Sequence, residues 1–412
     1  MQAVDGRFAP VMQRIADLTA SDDDWRWAAW TVATAGSHRH VEEILTYRHR
    51  VNGDGGAFAY DLAFNLATTD RGDVVRHLAA AFDQDSAFWG IFSWMAGLDA
   101  DLPLSVQSRM LRRGVLQATQ AAMTVFANDS RFLTYLYNMQ IQANLLEPGE
   151  TAGDSLLPCG LCAPLPPLGK GDGTPVVMAA CDEKYLRQYG ARLAESFSAL
   201  SMPGDLLVIV VNPTADEDAF RADLIRRFPR LAFGFVSGPA TPQFYACARF
   251  LFASAVLAAY ERQLIIVDVD GVFPRKFGDL VQAARCGSVG LPVVKAAKLP
   301  SLRISAAVVA FTPGAQAGRF LNHVEGYLHA KLQEDYTPWM VDQAALYNAF
   351  RLSLDGGGGI DLNTLLPDDL RLPESVSSEH ELSMDERVVS RGIGRIDVRF
   401  DHRGYPLFSV QA

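Results

Sequence analysis

Positive charge is in short supply. Lys and Arg total 37 against 47 Asp and Glu, giving a net charge of −10 and a pI near 5.3. A duplex nucleic-acid binder needs a basic face, so no nucleic acid is expected as a partner. A small anionic ligand stays open, because a few local arginines and backbone amides suffice to hold one. Cysteine is equally sparse: five residues, odd in number and scattered, which fits a reducing compartment better than a disulfide framework. Cys159 and Cys162 in PCGLCAP have CxxC spacing, but no second CxxC exists to complete a zinc site, so a chance pair is the simpler reading. No apolar run reaches the ~20 residues of a membrane span. The opening MQAVDGRFAPVMQRIADL lacks a basic stretch followed by an apolar core, the signature of a secretory signal. A cytoplasmic protein without an integral membrane segment is expected.

What is present is an ordinary folding composition, 49% hydrophobic and 20% charged over 412 residues. That length favours two domains. Residues 1–147 read as an all-helical domain, with almost no β-branched alternation. QSRMLRRGVLQATQAAMTVF (107–126) and RFLTYLYNMQIQANLL (131–146) space apolar residues every three to four positions. DSAFWGIFSWMAGL (85–98) carries two tryptophans and two phenylalanines at helical spacing, which predicts a bundle core. Residues 148–174 are crowded with proline and glycine, cannot continue a helix, and predict a linker.

From 175 to 412 the pattern becomes α/β. The apolar runs PVVMAACDEKY (175–185), GDLLVIVVNP (204–213) and LAFGFVSG (231–238) alternate with amphipathic stretches. The long helix FYACARFLFASAVLAAY (244–260) then feeds LIIVDVDGVF (264–273). Strand–helix alternation predicts a mainly parallel sheet covered on both faces, with ligands beyond the carboxyl ends of its strands. Asp182, Asn212, Asp268 and Asp270 fall at such ends.

The DVDG turn admits two chemistries. Paired carboxylates leaving a strand can hold Mg²⁺ or Mn²⁺, which prefer oxygen ligands and share them with substrate phosphates. Alternatively, Asp268 could be the phosphoryl nucleophile of a haloacid-dehalogenase-like phosphatase. In that phosphatase the acidic strand should be first in its domain, whereas about 90 residues of strand–helix alternation precede it here. The later residues it needs have only loose candidates in Ser305, Lys295 or Lys298, and Asp368/Asp369.

As an ordered set, VVMAACDEKYLRQYGARLAESF, FYACARFLF, IIVDVDGVF, RISAAVVAFTPGAQAGRFL and WMVDQAALYNAF resemble a GT-A glycosyltransferase domain. The likeness is to glycosyltransferase family 8 and related nucleotide-diphospho-sugar transferases, over about residues 175–400. The resemblance implies a Rossmann-like GT-A fold. It puts Ala180 and Asp182 at the nucleotide base, Tyr185 stacking on it, and Arg249 at the diphosphate or sugar. It makes Asp268 and Asp270 the metal ligands, with Asp268 also at the ribose, and sets Asp342 and Gln343 beside donor sugar and acceptor. Two departures stand out. Ser305-Ala306-Ala307 replaces the family's Asn-Ser/Ala-Gly. In VVSRGIGRID (388–397), Ser390 occupies the place of a metal-binding His, with Arg395 for a phosphate-binding Lys. His380 or His402 could supply the missing ligand.

The function so implied is sugar transfer from a nucleoside diphosphate sugar, a UDP-sugar above others, to an acceptor hydroxyl, with retention and Mn²⁺ or Mg²⁺. Besides the phosphatase, the alternatives are a catalytically degenerate GT-A binding or scaffold protein and a scaffold whose helical domain is the working part.

Overall fold

The computed structural model describes residues 7–69, 71–97, 109–110, 114, 125–126, 157–168, 173–200, 203–273, 277–293, 303–333, 340–355, 362–365, 396–400 and 406–410. The chain divides into two compact units, residues 1–144 with 382–412, and residues 145–381.

The first unit contains helices α1 (Phe8–Ala16), α2 (Asp22–Thr34), α3 (His38–Asn52), α4 (Gly55–Thr68), α5 (Gly72–Ala81) and α6 (Trp89–Gly97). Their ends follow local chemistry. The Ser21 hydroxyl accepts the Asp24 N–H at 3.2 Å while the Asp24 carboxylate accepts the Ser21 N–H at 3.1 Å, a reciprocal capping box that starts α2. Helix α3 stops at Gly53, whose φ of +73° is the left-handed conformation glycine adopts without strain. The aromatic stretch supplies core: Trp89, Phe92 and Trp94 are buried, and Trp94 stacks on Tyr60 at 5.8 Å. Of the predicted helix at 107–126 only 109–110, 114 and 125–126 are described, and 131–146 lies outside the described residues. An antiparallel hairpin of β9 (Ile396–Phe400) and β10 (Pro406–Val410) falls within the residues grouped with this unit, although the sequence pattern carries the α/β domain to 412. The hairpin pairs only with itself and adds no strand to the large sheet.

The second unit is built on an eight-stranded sheet. Its strands are β1 (Gly160–Leu161), β2 (Val176–Asp182), β3 (Asp205–Val211), β4 (Leu231–Ser237), β5 (Leu264–Val267), β6 (Val289–Pro292), β7 (Val308–Phe311) and β8 (Leu362–Leu365), in the order β1-β4-β3-β2-β5-β7-β6-β8. Strands β2 to β5 run parallel, β6 is parallel to β8, and β7 is antiparallel to both β5 and β6. Burial explains their composition: Val176 through Cys181, Leu206 through Val211 and Leu264 through Val267 are all buried, which reads as continuous apolar runs. From β2 the chain moves outward through β3 and β4, then returns to β2's other side at β5. That reversal opens a crevice at the carboxyl ends of β2 and β5, the place where such sheets bind ligands.

The segment expected as a linker contributes 157–168 to this unit. β1 pairs antiparallel with β4, Cys162 N–H donates to the Phe235 carbonyl at 2.8 Å, and the Tyr260 hydroxyl donates to the Pro166 carbonyl at 2.7 Å. Cys159 and Cys162 flank this extended pair and are free thiols. The two extended residues between them, Gly160 and Leu161, imply a Cα separation of about 10 Å, too far for a disulfide. The stretch Pro242–Tyr260 is long and apolar enough to cross a membrane, but 61% of its apolar window is buried inside the protein. After α7 (Ala191–Ser198) and α8 (Asp218–Arg227), it forms two core helices, α9 (Pro242–Leu251) and α10 (Ala253–Tyr260), which connect β4 to β5; α11 (Phe277–Ala283) and α12 (Ala315–Lys331) follow.

Candidate functional site

Four pieces of chain converge at the crevice. Helix α9 is placed by its N-cap, where the Thr241 hydroxyl accepts the Phe244 N–H at 3.2 Å with Pro242 in the first turn. The turn into it is tight: a Cβ on Gly238 would sit 2.2 Å from the Phe244 ring. Asn212, at the end of β3 with φ +51°, closes the neighbouring turn by accepting from the Gly238 N–H and donating to the Gly238 carbonyl, both at 3.0 Å. Side chains on a helix lean toward its N-terminus, so Arg249 in α9 reaches back toward the carboxyl edge of the sheet. There it meets Asp268, which follows β5. Because β7 is reversed, its first residues also lie at this edge, and Ser305, Ala306 and Ala307 line the crevice. The fourth piece is the first turn of α13 (Val341–Asp355), which brings Asp342 and Gln343.

Together these enclose a cavity of about 190 Å³ lined by Arg249, Asp268, Asp270, Asp342 and Gln343, with Ser305–Ala307, Gln243, Ala246, Cys247, Met340 and Val341 completing the wall. That is room for roughly six water molecules at ~30 Å³ each, enough for one small polar ring but not for a whole nucleotide. Five residues singled out from the sequence therefore share one cavity, drawn from three segments up to 94 positions apart.

Its electrostatics centre on Arg249, which is 5% exposed. Its Nη1 donates to Asp268 Oδ1 and its Nη2 donates to Asp342 Oδ2 at 3.0 Å. Arg249 Nε is buried and meets no acceptor among the described residues. Burial alone would ease the proton off this guanidinium, but attraction to Asp268 and Asp342 outweighs it and the pKa is raised. Asp342 goes the other way: burial pushes its carboxyl above the ordinary 3.8, Arg249 opposes that rise, and Asp268 adds to it. The described wall of the cavity thus carries the carboxylates of Asp268, Asp270 and Asp342 and the guanidinium of Arg249.

This set of oxygen donors suits a divalent cation shared with a ligand. Among the described residues no three His, Cys, Asp or Glu side chains converge as a closed metal site. Asp268 and Asp270 supply two carboxylates, and Mg²⁺-like ions are commonly held by one or two carboxylates with water and substrate phosphates as the rest. The same geometry weighs against the phosphatase. Asp268 is engaged by Arg249, and its strand follows β2, β3 and β4 instead of opening the domain.

Ala180, Asp182 and Tyr185 lie at the end of β2, alongside Asp268–Asp270 by the register that pairs Met178 with Ile266. Ala180 is buried in the strand. Asp182 caps the following helical run, its Oδ1 accepting the Tyr185 N–H at 2.8 Å, and the Tyr185 ring lies 5.4 Å from Tyr189. None of the three lines the cavity around Arg249. Arg395, Ser390, His380 and His402 lie outside the described residues.

Gln243, Cys247 and Met340 line the cavity without having been singled out in the sequence. For Gln243 and Ala246 the signal was helical period, since they sit two turns and one turn before Arg249 in α9. Met340 carries φ +70°, an uncommon conformation for an unbranched non-glycine residue, immediately before α13. Nothing in the sequence marks it.

No protein-family profile and no curated protein matches the chain. Solved structures give loose overlaps. The bifunctional glycosyltransferase WbbM overlaps at 13% identity and TM-score 0.35, covering 63% of this chain and 51% of that one. The glycosyltransferase GlyE of Streptococcus pneumoniae TIGR4 overlaps at 13% identity and TM-score 0.32, covering 47% and 45%. The mannosyltransferase PcManGT of Pyrobaculum calidifontis, in complex with GDP-Man and Mn²⁺, overlaps at 14% identity and TM-score 0.31, covering 66% and 70%. The chain thus spans about half the length of the first two. Overlaps this loose leave the function to be argued from the cavity itself.

Proposed function

We propose that the α/β unit is a GT-A glycosyltransferase domain moving a sugar from a nucleoside diphosphate sugar to an acceptor hydroxyl, with retention and with Mn²⁺ or Mg²⁺. The observation that carries this reading is the convergence of Arg249, Asp268, Asp270, Asp342 and Gln343 on one small cavity at the sheet's switch point. Asp268 and Asp270 would hold the cation, which offsets charge on the departing diphosphate. Arg249 adds a fixed positive charge beside the same leaving group, stabilising charge that grows in the transition state. Asp342 and Gln343 present acceptor and donor atoms to sugar and acceptor hydroxyls inside a space sized for one ring. Ala180, Asp182 and Tyr185, next along the edge, would take the base, and UDP is the nucleotide the resemblance favours. Arg395 is assigned to the phosphates on the resemblance alone.

Calorimetry with UDP and Mn²⁺ tests the proposal. Micromolar binding is expected for the intact chain and its loss in Asp270→Ala. A folded protein that binds neither UDP nor GDP in the presence of Mn²⁺ would leave the fold a scaffold and end the enzymatic reading. Thermal-shift screening of nucleotide sugars identifies the donor, since a ligand that binds the native state raises the melting temperature.

A further inference from the structure

We propose that Arg249 and a divalent cation are competing counter-charges for Asp268, so that the Asp268–Arg249–Asp342 network sets how tightly the Asp268–Asp270 pair takes metal. The inference rests on the cation assignment above and extends it to a residue that touches no metal.

The network is lopsided. The Asp342 side chain is 12% exposed and the Asp268 side chain 40% exposed, with the Arg249 side chain between them at 6%. The Arg249–Asp342 bond therefore lies inside the protein, where a lone charge is costly to leave. The Arg249–Asp268 bond faces the cavity, where water or an ion can replace it. Among the described residues Arg249 bonds through its terminal nitrogens, Nη1 to Asp268 and Nη2 to Asp342. Asp342 is thus the anchor and Asp268 the exchangeable partner. A dication held by Asp268 and Asp270 would repel the nearby guanidinium and compete with it for the charge of the Asp268 carboxylate. Arg249, still held by Asp342, is then released toward whatever anion accompanies the metal. The arginine in this way ties metal uptake to the appearance of a positive donor beside the leaving group.

The test uses the full chain and Mn²⁺ alone, followed by the paramagnetic resonance signal of the free ion. Arg249→Met removes the competitor, and Mn²⁺ affinity should rise about tenfold. Asp342→Asn removes the anchor, leaves Arg249's charge to Asp268, and should weaken Mn²⁺ about threefold. In the double variant the Asp342→Asn penalty should vanish. A network that only props up the site predicts weaker binding in both single variants, and an unchanged or weakened Arg249→Met overturns the proposal. Should Arg249→Met fail to melt cooperatively, Asp342→Asn decides alone: affinity unchanged or increased overturns the competition. Mn²⁺ binding that is lost in Asp270→Ala but indifferent to Arg249 defeats this inference and spares the metal site. Mn²⁺ binding to none of the variants defeats both.

Discussion

The sheet of the α/β unit has a buried arginine at each end, and the two are held in opposite ways. At the amino end Arg262, 3% exposed, donates from Nε to the Thr174 carbonyl at 2.8 Å and from Nη2 to the Thr174 hydroxyl and the Pro175 carbonyl, while Nη1 pairs with Asp205 at 2.7 Å. Neutral backbone oxygens and one acid absorb its charge, and the entry to β2 is tied to the starts of β3 and β5. At the carboxyl end Arg249 pairs with Asp268 and Asp342, and Asp270 lines the same cavity. One arginine is held mostly by neutral oxygens, the other, among the described residues, by carboxylates alone.

The contrast can be broken by experiment, and the largest effect is expected at the carboxyl end. Asp270→Ala should lower sugar transfer by about 10²–10³-fold, the scale of losing one preorganised electrostatic contact, without lowering the melting temperature. Donor consumption and a thermal melt on the same sample check this, and a parallel loss of stability would erase the distinction between the ends. Arg262→Met should do the reverse. It should cost about 3 kcal/mol in urea unfolding, toward the low end for a broken buried pair because Asp205 stays partly solvated, with Mn²⁺ affinity unchanged. Tyr260→Phe, which loses the bond to Pro166, should cost about 1 kcal/mol. Burial pushes that phenol up to about 12, so its absorbance change should come late in an alkaline titration. The smallest effect is a titration. Burial should make Asp342 lose its proton above 3.8 by carboxyl NMR, and further above in Arg249→Met, where the opposing charge is gone. A raised carboxyl favours the folded state most below 3.8 and progressively less as pH rises through its folded pKa, so Asp342→Asn should flatten that decline.

Much of this arrangement was legible in the residues. Apolar runs of four to seven located β2 to β5 because strands buried on both faces need no polar alternation. The acidic turn after β5 stood out because paired carboxylates at a strand end serve no packing purpose. Arg249 and Asp342 came from the ordered resemblance, since one charge in a helix is locally indistinguishable from a surface ion pair. What could not be read was their mutual commitment: Arg249 lies 19 residues from Asp268 and 93 from Asp342, and only tertiary closure brings them together. The reversal of β7 was also hidden, because an apolar strand reads the same in either direction. The proline-rich stretch suggested a spacer, since its composition forbids a helix, yet a two-residue strand can form wherever an open sheet edge accepts it.

That small strand bears on how the protein can be cut. β1 covers the margin of β4, and Pro164, Pro166 and Pro167 follow it closely, so no further strand can readily add there. A recombinant fragment begun at residue 175, where the composition changes, would bare the Phe235–Ser237 end of β4 as an open edge for self-association. Starting the fragment at or before Leu157 keeps that guard in place.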